Sequence, residues 1–109
     1  MRKKTAIIVL SWNNYKDTSI CLNSLKKIDR SNCDILLVDN GSTDDSIERL
    51  KAEYPDVKCI VNDRNYGFAE GNNIGIRRAI KMGAEYILLL NNDTEVAPNF
   101  VSELVCEAE

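Results

Sequence analysis

The chain contains 109 residues, of which 44% are hydrophobic and 28% are charged, and it carries a formal net charge of -3. This length suits a single domain with one modest core, so we treat residues 1–109 as one unit. The acidic balance argues against a broad basic face for nucleic acid. No histidine is present, which excludes Ser-His and Cys-His catalysis within these residues.

The four cysteines are widely spaced and form no C-x-x-C pair. This spacing predicts small reduced thiols rather than a zinc site. Reduced cysteines are typical of the cytosol, so we expect a cytoplasmic protein. The first apolar run, of about six residues, is too short for a signal sequence or a membrane span, and no transmembrane segment is predicted.

The first half of the chain predicts two strand–helix pairs. Residues 5–10 form a continuous apolar run rich in β-branched side chains, as expected of a strand covered on both faces. Residues 15–28 have the apolar periodicity of a helix. The segment DILLVD at 34–39 predicts a second buried strand. Residues 42–54 predict a helix that starts with a Ser-Thr pair as N-cap and two aspartates in its first turn.

The second half predicts two more pairs. Residues 57–61 read as a third strand, followed by a long polar loop over 62–71. Residues 72–82 have helical periodicity, and residues 86–90 form a fourth apolar strand. Pro98 is placed like the first residue of a final helix.

The order βαβαβαβα predicts an α/β fold that is Rossmann-like, with a parallel sheet and helices on both faces. In such a sheet the carboxyl ends of all strands lie on one edge, where ligands bind. The connections leaving that edge are rich in asparagine, aspartate and glycine. They read SWNNY, DNGSTDD, NDRNYGFAEGNN and NNDTEVAP, whereas the returning connections are the short DRSN, PD and GAE. This asymmetry predicts a binding site at the carboxyl edge.

Two acids at this edge point to the chemistry of the ligand. Asp39 and Asp93 each end an apolar strand, where a partly dehydrated carboxylate needs a partner. Capping of the following loop explains either acid alone, but two acids at strand ends favour a ligand. They suit a hard divalent cation, completed by water and phosphate oxygens, or the donor groups of a nucleobase and ribose. Gly67 allows close approach of a ligand to the backbone.

Other nucleotide-binding motifs are missing from the chain. A dinucleotide-binding fold wants G-x-G-x-x-G after its first strand, and the segment SWNNY contains no glycine. The G-K-[ST] of a P-loop is absent as well.

Four segments resemble successive blocks of the family-2 glycosyltransferases, and most closely the rhamnosyltransferase-like branch. They are IIVLSWNNYKDTSICLNSL, DILLVDNGSTDDS, NDRNYGFAEGNNIGI and YILLLNNDTEV. Their order and their extent over nearly the whole chain make the resemblance specific. It implies the nucleotide-binding half of a GT-A fold, with strand order 3-2-1-4.

The resemblance also implies roles for single residues. Asp39 matches the aspartate that hydrogen-bonds the base, and Asp93 matches the last acid of the D-x-D motif, which binds Mg²⁺ or Mn²⁺. Asn91 replaces the first acid of that motif and is a poorer metal ligand, and Asn72 stands where many members have arginine. The expected nucleotide-binding residues are Ser11, Trp12, Asn13, Asp39, Asn40, Gly67, Asn72, Asn91 and Asn92.

The implied activity is transfer of a sugar from a nucleoside-diphosphate sugar, with dTDP-rhamnose as one candidate, to an acceptor hydroxyl. Inversion, a saccharide or lipid-linked acceptor, and a place in cell-surface polysaccharide or glycolipid synthesis follow from the resemblance. The family's general base comes from its second half, so we expect it beyond Glu109 and expect this chain to bind donor without transferring sugar. The full-length enzyme is expected in the cytoplasm or at the membrane periphery.

Two other interpretations stay open. A sugar nucleotidyltransferase also uses a Rossmann-like half, but it requires a glycine-rich, basic loop after the first strand. The segment SWNNY contains neither glycine nor a basic residue. A non-catalytic module is the second alternative. It would bind nucleotide, or pair with itself as a homodimer through an exposed sheet edge.

Overall fold

The computed structural model describes residues 4–28 and 33–97, which form a four-stranded parallel sheet with helices on both faces. The elements are β1 (Thr5–Ser11), α1 (Tyr15–Leu25), β2 (Cys33–Asp39), α2 (Ser46–Glu53), β3 (Lys58–Val61), α3 (Gly67–Lys81) and β4 (Tyr86–Asn91). The helix predicted from Pro98 lies outside the described residues. Within the described part, no helix combines the length and apolarity needed to cross a bilayer.

The strand order is β3-β2-β1-β4, which confirms the predicted α/β fold and its 3-2-1-4 order. All pairings are parallel: Thr5 of β1 lies opposite Cys33 on one side and Tyr86 on the other. After β1 the chain runs outward through β2 and β3, and it then crosses back to place β4 on the other side of β1. The order therefore reverses at β1, and a ligand crevice belongs at the carboxyl ends of β1 and its neighbours.

The central strand β1 supplies both cores. Ile7 and Val9 point into a cluster that includes residues of α1 and α2, whereas Ala6 and Ile8 point into the cluster beneath α3. This is the alternation that a strand imposes on successive side chains. Each buried valine or isoleucine contributes about 1.5–3 kcal/mol relative to an exposed one. The covered sheet forms a rigid base for the loops at its carboxyl edge.

Helix α3 approaches the sheet closely because glycine occupies the contact position. A Cβ added to Gly75 would lie 2.8 Å from Cγ2 of Ile8 and 3.0 Å from Cγ2 of Val38. Both are the first branches of stiff β-branched side chains, which have little freedom to move away. Gly75 falls inside the helix predicted over 72–82, but nothing in the sequence pattern marks its packing role.

The predicted start of α2 is wrong. The helix begins at Ser46 rather than at Ser42, and its N-cap, Asp45, makes no side-chain capping bond. The Ser42 N–H instead donates to Asp39, the last residue of β2. The Ser42 hydroxyl accepts from the N–H of Asn13, in the loop after β1, and the Thr43 N–H donates to the Asn13 side-chain oxygen. Serine and threonine side chains form hydrogen bonds in turns as well as in helix caps, and here the turn is formed with residues of other loops and strands instead of a helix cap.

The predicted start of α3 is also wrong, because the helix begins at Gly67 and not at residue 72. The polar loop is therefore shorter than the sequence indicates. Gly71 lowers intrinsic helix propensity by about 1 kcal/mol inside the helix, and Gly67 begins the helix with a left-handed φ of 84°, so the segment resembled a loop in sequence. Gly71 is nevertheless buried against Leu10, where a side chain would not fit: an added Cβ would lie 2.8 Å from Cδ1 of Leu10.

We expect Gly75→Ala to lower the free energy of unfolding by about 1–2 kcal/mol. Overpacking against Ile8 and Val38 costs about 1–3 kcal/mol and outweighs the gain in helix propensity, about 1 kcal/mol. Urea denaturation followed by circular dichroism measures the change. Asn73→Ala, at an exposed position of the same helix, is the matched control and should be neutral or stabilising. Equal stability gains for both variants would contradict the packing argument.

Candidate functional site

The strand ends that carry the predicted site residues lie side by side. Ser11, the last residue of β1, pairs with Asp39, the last residue of β2. On the other side of β1, Leu10 pairs with Asn91, the last residue of β4. The parallel register therefore brings the loops after β1, β2 and β4 to one edge of the sheet.

Asp39 is buried at this edge, with 1% of its surface exposed. Its carboxylate accepts hydrogen bonds from the backbone N–H of Ser42 at 3.0 Å and from the Ser42 hydroxyl at 2.5 Å. These bonds fix the orientation of the carboxylate and fold the loop that follows β2. A carboxylate has about four acceptor positions, so Asp39 keeps capacity for a further donor.

Asn13 joins the loop after β1 to the loop after β2. Its backbone N–H donates to the Ser42 hydroxyl at 2.9 Å, and its side-chain oxygen accepts from the N–H groups of Thr43 and Asp44 at 2.7 and 3.2 Å. Its φ of 47° lies in the left-handed region, which asparagine tolerates better than most residues. The described bonds of Asn13 thus serve loop geometry, and its contact with nucleotide stays a prediction.

Asn40 holds the loop before α3 against the sheet. The residue is 3% exposed, and its side-chain nitrogen donates to the carbonyl oxygen of Gly67 and to Oδ1 of Asn65, both at 3.1 Å. Its side-chain oxygen accepts from Nδ2 of Asn62 and from the N–H of Tyr66, also at 3.1 Å. An amide offers two donors and two acceptor positions, so the capacity of Asn40 is filled. The geometry gives it a positioning role, and its predicted contact with nucleotide remains untested.

Helix α1 holds the turn after β4. Thr94 N–H donates to the Asn91 carbonyl at 3.1 Å, which closes the turn. The Asn92 side-chain nitrogen donates to the Thr18 hydroxyl at 3.0 Å, and Thr18 is in turn bonded to the Ser11 hydroxyl at 2.8 Å. Two side-chain hydrogen bonds, the first of them buried, therefore connect the end of β1 to the residue that precedes Asp93.

A hollow of about 210 Å³ opens beside this turn. It is lined by Leu10, Phe68, Asn72, Leu89, Leu90, Asn91, Asn92 and Asp93. One wall is formed by apolar side chains of β1, β4 and α3, and another by the amides and the exposed carboxylate of the turn. The hollow can thus hold a ligand with both apolar and polar surfaces.

The thiol of Cys21 lies behind the turn that carries Asp93, in a buried and negatively charged environment. Burial raises the pKa of Cys21 to about 11, and the negative charge of Asp93 adds to the shift. Its sulfur lies 3.9 Å from the Asn91 carbonyl oxygen. Cys21 therefore stays a neutral thiol at physiological pH and is unsuited to act as a nucleophile.

The donor set suits a cation that keeps most of its own water. Among the described side chains, no group of three His, Cys, Asp or Glu residues could enclose a metal. Asp93 instead supplies one exposed carboxylate beside the hollow, with the amide of Asn91 two residues before it. Mg²⁺ and Mn²⁺ bind well through one or two carboxylates plus ligand phosphates, so the residues present fit such an ion.

The structure separates the predicted residues into two neighbouring groups. Asn72, Asn91, Asn92 and Asp93 share the hollow, whereas Asp39 is not among the residues that line it. Asp39, Asn13 and Asn40 belong to the hydrogen-bonded loops on the β2 side, with Ser11 between the two groups. The Trp12 side chain is 49% exposed at the same edge.

Two contributors were missed by the sequence analysis. Phe68 lines the hollow and is 69% exposed, and an aromatic residue in an otherwise polar segment was a readable signal. Thr18 is buried at the centre of the bond chain behind the turn. Nothing in the sequence marked it, because a threonine on the inner face of a helix usually reads as part of the core.

The sequence of the chain matches a known protein family. The sequence model described as "Glycosyl transferase family 2" matches residues 6–109. The chain is 32% identical, over 101 residues, to the "dTDP-rhamnosyl transferase RfbF" of Shigella flexneri, covering 93% of the chain and 33% of that protein. The chain spans about a third of the length of the curated relatives it matches.

Solved structures share the fold. S. aureus TarS in complex with UDP-GlcNAc superposes with a TM-score of 0.83 at 23% identity, over 94% of this chain and 30% of that one. The mannosyltransferase PcManGT from Pyrobaculum calidifontis, in complex with GDP-Man and Mn2+, gives a TM-score of 0.80 at 21% identity, over 96% of this chain and 32% of that one. At this identity the likeness confirms the fold.

We expect Asn40→Ala to lower the free energy of unfolding by about 2–4 kcal/mol, because it removes four hydrogen bonds made by a buried amide, each worth about 0.5–1.5 kcal/mol net. Hydrogen exchange should rise most at the N–H of Tyr66, which loses its acceptor. Asn23→Ala, which removes an exposed amide from α1, is the control and should change stability by less than about 0.5 kcal/mol. Similar values for both variants would refute the positioning role of Asn40.

Proposed function

Because this chain belongs to glycosyl transferase family 2, we propose that it is the donor-binding part of a nucleotide-sugar-dependent glycosyltransferase. It binds a nucleoside-diphosphate sugar at the carboxyl edge of its sheet. The observation that carries the proposal is the register of β1 with both neighbours, which brings Asp39 and the Asn91–Asp93 turn to one edge.

The base and ribose bind on the β2 side. The Asp39 carboxylate, held by Ser42, accepts a hydrogen bond from the base. The half-exposed ring of Trp12, one residue beyond the end of β1, offers an apolar face at the same edge, and aromatic faces are favourable surfaces for planar ligands. Burial of Asp39 supports this assignment, because a hydrogen bond to a dehydrated carboxylate is stronger than one in water.

The diphosphate binds on the β4 side, at the hollow beside Asp93. A carboxylate about 4 Å from a phosphate oxygen would repel it by roughly 4 kcal/mol at an effective dielectric of 20. A divalent cation, when bound, would reverse the sign of that interaction and stabilise the charge of the departing diphosphate. Asp93 holds the cation, and the Asn91 amide is free to serve a ribose or phosphate oxygen instead.

The donor sugar is proposed from the relative that is similar in sequence. The 32% identity to a protein named as a dTDP-rhamnosyl transferase supports dTDP-rhamnose as the donor. The acceptor is a hydroxyl of a saccharide or a lipid-linked glycan in cell-surface polysaccharide or glycolipid synthesis at the cytoplasmic side of the membrane. Transfer inverts the anomeric centre, since a base in the remaining part of the enzyme activates the acceptor for in-line attack.

We expect Asp93→Ala to remove the gain in dTDP affinity that Mn²⁺ provides, while affinity without metal stays equal or rises. The physical reason is that the variant loses both the metal ligand and the charge that repels the diphosphate. Calorimetric titration of dTDP and of UDP, with and without Mn²⁺, measures both effects and also ranks the two bases.

The control is Glu95→Ala, which removes an exposed acid two residues away and should keep the full Mn²⁺ effect. If Asp93→Ala retains the metal-dependent gain, Asp93 is not the ligand. If the unaltered chain binds neither nucleotide, the proposed donor site is wrong.

We also expect the 109-residue chain alone to bind dTDP-rhamnose without transferring the sugar to an added acceptor. The chain spans about a third of its curated relatives, and we place the catalytic base in the remaining part. Product analysis by mass spectrometry tests this expectation. Detectable transfer by the 109-residue chain would show that the base lies within it.

A further inference from the structure

Helix α1 presents three small polar side chains to the β4 loop at a spacing of three residues. Thr18 is bonded to the Asn92 amide at 3.0 Å, and the Cys21 sulfur lies 3.9 Å from the Asn91 carbonyl oxygen. One turn further, the Ser24 hydroxyl accepts from the N–H of Val96 at 3.1 Å. All three α1 residues are buried. This row ties the segment that contains Asp93 to α1, although that segment lies more than sixty residues later in the sequence.

Thr18 has a second bond that reaches β1, whereas the second bond of Ser24 stays within α1, where its hydroxyl donates to the Cys21 carbonyl at 2.7 Å. The Thr18 hydroxyl is bonded to the Ser11 hydroxyl at 2.8 Å, and both residues are almost fully buried. An amide nitrogen can only donate, so Thr18 accepts from Asn92, and a hydroxyl that accepts one bond can still either donate to or accept from Ser11. A single hydroxyl thereby links the end of β1, on the base side of the edge, to the residue immediately before Asp93.

We propose that Thr18 is a positioning residue for metal-assisted donor binding, which it serves by holding the Asn92–Asp93 turn at a fixed place relative to the end of β1. This inference rests on the proposed function. Asp93 is exposed, and its place therefore depends on the turn that carries it. A hydrogen bond from the partly buried Asn92 amide to the buried Thr18 hydroxyl restrains that turn beyond the end of the β4 ladder.

The test compares Thr18→Val, which keeps the side-chain shape and removes the hydroxyl, with Thr18→Ser, which keeps the hydroxyl. The readout is the Mn²⁺ enhancement, defined as the Kd for dTDP without Mn²⁺ divided by the Kd with Mn²⁺. We expect Thr18→Val to reduce this enhancement about fivefold or more, equivalent to ~1 kcal/mol, the typical net value of one hydrogen bond. Thr18→Ser should retain it, and the Kd without metal should change little in either variant.

Ser19→Ala is the matched control. The Ser19 hydroxyl lies next to Thr18 in sequence and donates to the Lys16 carbonyl within the same helix, at 2.9 Å. Its removal should leave the Mn²⁺ enhancement unchanged. Asn92→Ala removes the Thr18 bond from the loop side and should reproduce the loss, which keeps the test decisive if Thr18→Val does not fold.

The outcomes separate the two proposals. If Thr18→Val or Asn92→Ala keeps the full Mn²⁺ enhancement, the positioning role is overturned while the donor site stands. If Thr18→Val only lowers the melting temperature and leaves the enhancement intact, Thr18 is merely structural, and the inference is likewise overturned. If the unaltered chain shows no metal-dependent dTDP binding, the proposed function fails, and the role of Thr18 fails with it.

Discussion

The parallel pairing of β1 with two neighbours is the constraint on which the rest of the structure depends. Because β2 and β4 both run alongside β1 in the same direction, the three carboxyl ends emerge together. A slip of one residue in either pairing would turn core side chains such as Ile7 and Ile8 to the wrong faces. The hydrophobic core therefore sets the register, and the register in turn sets which polar residues meet at the edge.

Beyond the strand ends, where hydrogen bonds between strand backbones stop, the side-chain amides of asparagines hold the loops in place. The Asn40 side chain fills all of its hydrogen-bonding positions with residues 62–67. The Asn13 side-chain oxygen accepts from two backbone N–H groups of the loop after β2. Asn40 is buried, and a buried polar group destabilises the fold when it is left unpaired, so its satisfied network favours one loop arrangement over its competitors. Much of the asparagine at this edge thus maintains the shape of the site.

Several groups exposed at the edge are chemically distinct from these structural amides. Trp12 and Phe68 expose aromatic rings, and Asp93 exposes a carboxylate. Two aromatic surfaces and one acid suit a ligand that has planar, apolar and charged parts, as a nucleotide sugar with its cation does. The same edge therefore combines a rigid, internally bonded base with a small number of accessible contacts.

The sequence by itself determined the alternation of strands and helices and the concentration of polar residues after the strands, because apolar periodicity and turn composition are local properties. It also brought Asp39 and Asp93 to one edge, since parallel strands share their direction. Only the tertiary structure decided that α2 begins at Ser46 and α3 at Gly67. It also decided that the Asn40 side chain bonds the loop before α3, and that Thr18 lies behind the Asp93 turn. Those outcomes depend on partners distant in the sequence, whose competition with local preferences cannot be read from neighbouring residues.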